Sequence, residues 1–276
     1  MKTEELYHPV HLEALLERHG FRFSKGLGQN FLVEPAVAEA AAQTVDEGCG
    51  VLEIGPGHGA LTVQLAARAA KVLALEADER LRPVLAETLS GHENTEVRFG
   101  DALAADLKAL CRACFTGLEP CLCANLPYNI TTPVLERVVR AGCFSRVTVM
   151  VQKEAGLRLL TKPGDERWGA LPALLAARYT GEVLMDVGRG CFMPPPHVDS
   201  CILTFRRMEK PIVGEGEWAA YERVVRAVFA QRRKVLSNAL RAADIAPDVL
   251  QGTGIDPRLR GERLLPEDLL QIARRL

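Results

Sequence analysis

The residues with most chemical content stand at the ends of three short apolar runs. The first run, VLEI (51–54), leads into Gly55-Pro56-Gly57-His58-Gly59 and then a helical pattern. Glycines permit a tight turn and let a ligand approach the backbone closely. The second run, KVLALE (71–76), ends in Glu76, 21 residues after Gly55. A carboxylate there can accept hydrogen bonds from both hydroxyls of a ribose. The third run ends in Phe99-Gly100-Asp101-Ala102. Asp101 can accept a bond from an adenine amino group; taken alone, it would serve equally as the N-cap of a helix over ALAADL. The series points to an adenosine-containing cofactor at the carboxyl ends of the strands. A nicotinamide dinucleotide obeys the same logic, but the turn here is GxGxG, and pyrophosphate binding usually wants GxGxxG.

Glycine turn, ribose acid and adenine acid on successive strands resemble the S-adenosylmethionine site of class I methyltransferases. Against such a cofactor, a fourth strand end acquires a role. It reads Asn125-Leu126-Pro127-Tyr128. Adenine N6 is a poor nucleophile because its lone pair is delocalised into the ring. Acceptors that hold the amino group can favour its pyramidal form and aim the lone pair at a methyl sulfonium. The Asn125 side-chain oxygen and the carbonyl of Leu126 or Pro127 could supply them, with Pro127 fixing the turn. Tyr128 can stack on the base. Positioning and electrostatics then carry the catalysis without a covalent enzyme intermediate. The plainer alternative is a strand-ending turn with Tyr128 packed in the core.

The elements needed to place these residues are legible. Strand candidates are 51–54, 71–76, 96–99, 121–125 and 146–152, with helical patterns after Gly59, after Asp78 and from about Thr132 to Ala141. Continuous apolar strands alternating with helices predict a parallel sheet covered on both faces. Two further runs, 182–187 and 200–205, flank Pro194-Pro195-Pro196 and could close the sheet as an antiparallel pair. The fold class is therefore α/β, a Rossmann-like, mostly parallel seven-stranded sheet with a small C-terminal all-helical domain. Residues 206–216 read as a linker. Beyond it the pattern is helical from Glu217 to about Ala243, with a break near 231–234, and again from Pro266. The expected domains are 1–207, including an N-terminal helical extension, and 208–276.

Composition excludes several classes. No run approaches the roughly eighteen apolar residues of a membrane helix. The first twenty residues carry Glu4, Glu5, Glu13 and Glu17 and lack the pattern of a signal peptide, so a cytoplasmic location is expected. Of the eight cysteines, Cys111 and Cys114 form a CxxC and Cys121 and Cys123 a CxC. The CxC falls inside an apolar run that reads as a buried strand, so the set reads as free buried thiols in a reducing compartment and no metal is expected. Net charge is −1, but residues 206–276 carry +4, an asymmetry that suggests a polyanion partner for the C-terminal part.

Several segments together resemble one family, the small-subunit ribosomal RNA adenine dimethyltransferases. They are GLGQNFL (26–32), LEIGPGHGALT (52–62), LEAD (75–78), GDAL (100–103), NLPYNITTPVL (125–135), VMVQKEAGLRL (149–159), FMPPPHVDS (192–200) and FAQRRKVLSNAL (229–240). The resemblance implies methyl transfer from S-adenosylmethionine to N6 of two adjacent adenosines near the 3′ end of small-subunit rRNA, with the immature small subunit as partner and a monomeric enzyme. It implies that Asn30 and Leu32 line the cofactor pocket with Gly55, Gly57, Glu76, Asp101, Ala102 and Asn125. It implies that Phe192 supplies a second stacking face opposite Tyr128, since an extruded base needs new neighbours. It implies that Arg232, Arg233 and Lys234 bind RNA phosphates, with Arg22 and Lys25 beside the cleft. The chain departs from the family in being less basic, with His197 where Lys is common and Trp168 where Tyr is common. Competing readings are a large-subunit rRNA adenine methyltransferase conferring macrolide resistance, a largely non-catalytic assembly or transcription factor, and a nicotinamide-dependent oxidoreductase. The intact Asn125–Tyr128 motif argues for retained chemistry.

Overall fold

Runs of consecutive apolar residues become the central strands, because a strand covered on both faces has no solvent side. In a computed structural model, which describes residues 3–23 and 28–276, the chain divides into two units. One comprises Met1–Gly156 with Glu182–Arg206; the other comprises Leu157–Gly181 with Arg207–Leu276.

The first elements are α1 (Pro9–Arg18), β1 (Phe31–Leu32), α2 (Pro35–Gln43), β2 (Gly50–Ile54), α3 (Ala60–Ala66) and β3 (Lys71–Glu76). Then follow α4 (Arg82–Thr88), β4 (Thr95–Phe99), α5 (Leu107–Cys114), β5 (Pro120–Asn125), α6 (Thr131–Ala141), β6 (Arg146–Gln152) and α7 (Lys153–Leu159). The chain continues through α8 (Ala170–Ala176), β7 (Tyr179–Val187), β8 (Phe192–Met193) and β9 (Ser200–Arg207). It ends in α9 (Trp218–Ala230), α10 (Leu236–Arg241) and α11 (Pro266–Ala273).

Seven strands form one sheet in the order β4-β3-β2-β5-β6-β9-β7. The β4-β3-β2-β5-β6 part is parallel, and β9 runs antiparallel to β6 with Gln152 opposite Ser200. Every residue of β2 is buried, as are Cys121, Leu122, Cys123 and Ala124 of β5. Helix α6 shows the complementary pattern. Its buried residues Thr131, Val134, Leu135, Val138 and Val139 recur at i, i+3, i+4, i+7 and i+8, one stripe of an amphipathic helix. Gly142, at φ 60°, takes the left-handed position that ends it.

The strand order reverses between β2 and β5. There the ladder runs only from Gly50↔Pro120 to Leu52↔Leu122, although both strands continue. Ligands of open α/β sheets bind in the crevice at such a reversal. Gly55 follows β2 and Asn125 ends β5, so the two candidate sites flank that crevice.

In the second unit Trp168 is fully buried with its ring edge-on to Phe229, and the Tyr221 hydroxyl donates to the Ala173 carbonyl at 2.9 Å. Residues 157–181 therefore group with the C-terminal residues, whereas the sequence reading puts all residues up to 207 in the first domain. The segment ALPALLA is apolar all round, so no stripe reveals which neighbour it packs against. Among the described residues no helix is long and apolar enough to cross a membrane.

Candidate cofactor and adenine site

The carboxyl ends of β2, β3, β4 and β5 surround a cavity of about 410 Å³. Its wall at β2 is the glycine turn. Gly55 and Gly57 hold φ of +73° and +61°, which L side chains rarely adopt. A Cβ at Gly57 would also stand 3.1 Å from the Phe31 ring, so the turn is both twisted and crowded.

Glu76 is buried at the end of β3. Its Oε1 accepts the Asp78 N–H at 2.8 Å and its Oε2 the Gly57 N–H at 3.2 Å. Each carboxylate oxygen retains capacity for a further donor. Burial pushes its pKa up, against the pull of these N–H groups. Asp101, beyond β4, is exposed at the cavity and accepts the Leu103 N–H at 2.7 Å. It closes a turn and caps no helix over ALAADL: the next helix, α5, starts at Leu107 and is capped by Asp106, which accepts the Ala109 N–H. Ala102 is buried beside it, and Asn30 and Leu32 also line the cavity.

Glu53, inside β2, is a lining residue that spacing alone does not single out. It is 1% exposed, and its Oε2 has no partner among the described residues. Burial, reinforced by the nearby Glu76, raises its pKa to about 8. His58 is also buried. Its Nε2 lies 3.1 Å from the Leu6 carbonyl oxygen, and burial lowers its pKa to about 4, so the ring is neutral.

Three carboxyl groups, Glu53, Glu76 and Asp101, thus face the cavity, and among its described lining residues there is no Lys or Arg. Even with Glu53 held protonated by burial at neutral pH, Glu76, Asp101 and the absence of Lys or Arg among the described lining residues suit a cationic nucleoside and disfavour a pyrophosphate, because like charges in a low-dielectric cavity repel strongly. The fit is to S-adenosylmethionine, with its sulfonium and ammonium, and it goes against a nicotinamide dinucleotide.

At the end of β5 the Asn125 side chain donates through Nδ2 to the Asn30 carbonyl at 3.2 Å. The amide oxygen is thereby turned away from that contact. The Leu126 N–H donates to the Met150 carbonyl at 3.1 Å. The Pro127 carbonyl already accepts from the Ile130 N–H at 3.1 Å and the Thr131 hydroxyl at 3.4 Å. The sequence left Leu126 and Pro127 as alternatives; these bonds favour the Leu126 carbonyl as the acceptor open to a ligand. Tyr128 is partly buried and lines the cavity, with its hydroxyl 2.8 Å from the Ser200 Oγ in β9. Burial raises its pKa. Ser200 is a second residue missed in the sequence, since only the β6–β9 pairing brings it here.

Phe192 is placed differently. It is 3% exposed, pairs with Leu32 across β1 and β8, packs in the apolar core and is not among the residues lining the cavity. A two-residue strand carries no periodicity from which its facing direction could be read.

The basic residues are more scattered than the sequence suggests. Arg22 is exposed, and Lys25 lies outside the described residues. Arg232, Arg233 and Lys234 occupy the turn between α9 and α10. Arg233 and Lys234 are exposed, but Arg232 lies 4.0 Å from Glu262. In a continuous helix a carboxylate partner would have to stand about four residues away. The turn removes that geometry and brings in a carboxylate distant in sequence.

The sheet order, the crossover cavity and the helical second unit define a class I methyltransferase. A family model described as ribosomal RNA adenine dimethylase matches residues 20–276, and the chain belongs to that family. It is 38% identical over 97% of its length to the ribosomal RNA small subunit methyltransferase A of Anoxybacillus flavithermus, covering 95% of that protein. It is 41% identical over 93% of its length to the protein of the same name from Geobacillus thermodenitrificans, covering 92% of it. Among solved structures, a dimethyladenosine transferase from Plasmodium falciparum superposes with a TM-score of 0.71 at 24% identity, over 88% of this chain and 95% of that one. The 23S rRNA methyltransferase ErmE superposes with a TM-score of 0.65 at 29% identity, over 90% of this chain and 99% of that one.

Proposed function

We propose that the protein transfers methyl groups to N6 of two adjacent adenosines near the 3′ end of small-subunit rRNA, acting as a cytoplasmic monomer on immature small subunits. The observation that carries this reading is the acceptor pair at the end of β5, the Asn125 amide oxygen and the Leu126 carbonyl, beside an acidic cavity. The names of the relatives at 38–41% identity support the small-subunit substrate.

S-adenosylmethionine supplies an electrophilic methyl group on a sulfonium. Glu76 holds the ribose hydroxyls, Asp101 the cofactor's adenine amino group, and Gly55, Gly57, Asn30, Leu32 and Ala102 shape the pocket around it. In the first transfer Asn125 and Leu126 accept the two N6–H bonds of the target base; in the second, one of them accepts the N–H that remains. Held this way, the N6 lone pair turns out of conjugation toward the methyl group. Held by these residues, S-adenosylmethionine would give up its methyl group to N6 and keep the C–S electron pair on sulfur, and the surplus N6 proton would pass to water. Tyr128 stacks on the base, its hydroxyl tethered to Ser200. Phe192 stands in the core, paired with Leu32, which lines the pocket. In residues 208–276, Arg233 and Lys234 meet RNA phosphates, with Arg232 contributing less beside Glu262; Arg22 and Lys25 serve the cleft side.

The likeness to ErmE gives a second reading, a large-subunit RNA substrate. Mass spectrometry of both rRNAs from cells with and without the protein separates the two. Loss of N6,N6-dimethyladenosine from small-subunit rRNA alone is expected. Loss confined to large-subunit rRNA would overturn the proposal.

A further inference from the structure

A chain of hydrogen bonds connects the two halves of the site. It begins at Glu76, whose Oε1 accepts the Asp78 N–H at 2.8 Å. Asp78 is buried, and its carboxylate gathers four bonds. Three come from Arg80, through the backbone N–H at 3.1 Å, Nε at 2.8 Å and Nη2 at 2.6 Å. The fourth comes from the Gln29 side-chain amide at 2.8 Å. Gln29 directly precedes Asn30, whose carbonyl accepts from Asn125 Nδ2 at 3.2 Å. Arg80 holds the same segment further back, with Nη1 3.4 Å from the Arg22 carbonyl oxygen and its guanidinium over the Phe21 ring at 5.3 Å.

The last link has a chemical consequence. A side-chain amide can rotate by half a turn and exchange its oxygen for its NH₂. With the oxygen toward the target adenine, Asn125 accepts an N6–H. With the NH₂ there, it would oppose the amino group donor to donor. The Asn30 carbonyl breaks this symmetry, because it can only accept, and so it keeps Nδ2 on its own side. That carbonyl lies in the Asn30–Phe31 peptide, one residue beyond Gln29, and Gln29 is anchored to the buried, Arg80-paired Asp78.

We propose, resting on the adenine-methylation reading above, that Gln29 and Asp78 are positioning residues. Their bond fixes the Asn30 carbonyl, selects the accepting orientation of the Asn125 amide and ties that orientation to the strand end carrying Glu76. The cofactor end and the adenine end of the cavity are thereby aligned as one unit.

The test compares Gln29→Met, which keeps the side-chain length and loses the donor, with Gln29→Lys, which retains one. Single-turnover methyl transfer is measured with immature small subunits at saturating S-adenosylmethionine. Cofactor affinity is measured by calorimetry, and hydrogen exchange of the Asn125 side-chain amide by NMR of the full chain. A bond to a charged group predicts about a tenfold slower transfer in Gln29→Met, with the cofactor dissociation constant within about threefold of wild type. The Asn125 amide should lose protection in Gln29→Met and regain it, together with the rate, in Gln29→Lys. An unchanged amide protection in Gln29→Met would overturn the inference, as would rate and cofactor affinity falling in equal proportion. If the wild type fails to methylate small subunits at all, the functional reading fails. The amide measurement still decides the positioning role.

Discussion

The two ends of the cavity are built on different principles. At the cofactor end, Glu76 is buried and each oxygen accepts a backbone N–H, one from Asp78 two residues on and one from the Gly57 turn. Its orientation follows from local chain geometry and the β2–β3 pairing. At the adenine end, Asn125 is only partly buried, and its amide is turned by one bond to Asn30, 95 residues away in sequence. Tyr128 likewise depends on Ser200, 72 residues away. Glu76 is therefore set by shorter-range structure. The reacting end is set by long-range contacts and is the easier of the two to perturb without unfolding.

The widest separation between the ends should come from Asn125→Ala. Removing one preorganised contact of this kind typically slows the chemical step by about 10²–10³-fold. Single-turnover rates should fall by that order while cofactor affinity changes far less. A wild-type rate in the folded variant would reduce the Asn125–Tyr128 segment to a structural turn. Glu76→Ala should do the reverse, weakening S-adenosylmethionine binding by roughly 1–3 kcal/mol, the range for charge-assisted bonds. Calorimetric titration measures it, and an unaltered dissociation constant would take Glu76 out of the site.

Glu53 sharpens the contrast through pH. Its folded-state pKa of about 8 lies above the ordinary carboxylate value of 4.5, so between these values the folded protein binds more protons than the unfolded one. Its contribution to stability is thus fully present at low pH and is lost as pH rises toward 8. Glu76, also raised, acts with the same sign. Glu53→Gln, which imitates the neutral form, should melt at a higher temperature than wild type at pH 8 and show a flatter dependence over this window. Identical melting curves across pH would show that Glu53 does not titrate there.

The Tyr128 pair of variants carries a smaller expected effect. Tyr128→Ala loses base stacking, worth about 1–3 kcal/mol. Tyr128→Phe keeps the ring and loses only the Ser200 bond, about 0.5–1.5 kcal/mol. Single-turnover rates should rank wild type, Phe, Ala; equal rates for Phe and Ala would assign the role to the hydroxyl. The smallest effect should come from replacing Arg232, Arg233 and Lys234 by Ala. Binding of immature subunits across a salt series should become less steep, each lost phosphate contact removing at most about 0.7–0.9 from the slope. The change should fall short of three contacts because Arg232 lies beside Glu262. Parallel curves of equal affinity would move the RNA-binding surface elsewhere.

Much of this was determined by the sequence itself. Apolar runs placed β2, β3, β5 and β6 to within a residue, because a strand buried on both faces must be apolar throughout. The glycine turn, Glu76, Asp101 and Asn125 were legible for a related reason. In a parallel sheet the strand ends gather on one edge, so a residue type at a strand end already implies its neighbours. Tertiary structure alone decided the rest. It made Glu53 a buried acid of the cavity, occupied the Pro127 carbonyl with Ile130 and Thr131, and turned Phe192 into the core. It gave Arg232 a carboxylate neighbour, moved residues 157–181 to the second unit, and joined Gln29 to Asp78. Each of these depends on which side a group faces or on a partner far along the chain. Local propensity and spacing carry no information about either until the sheet has closed.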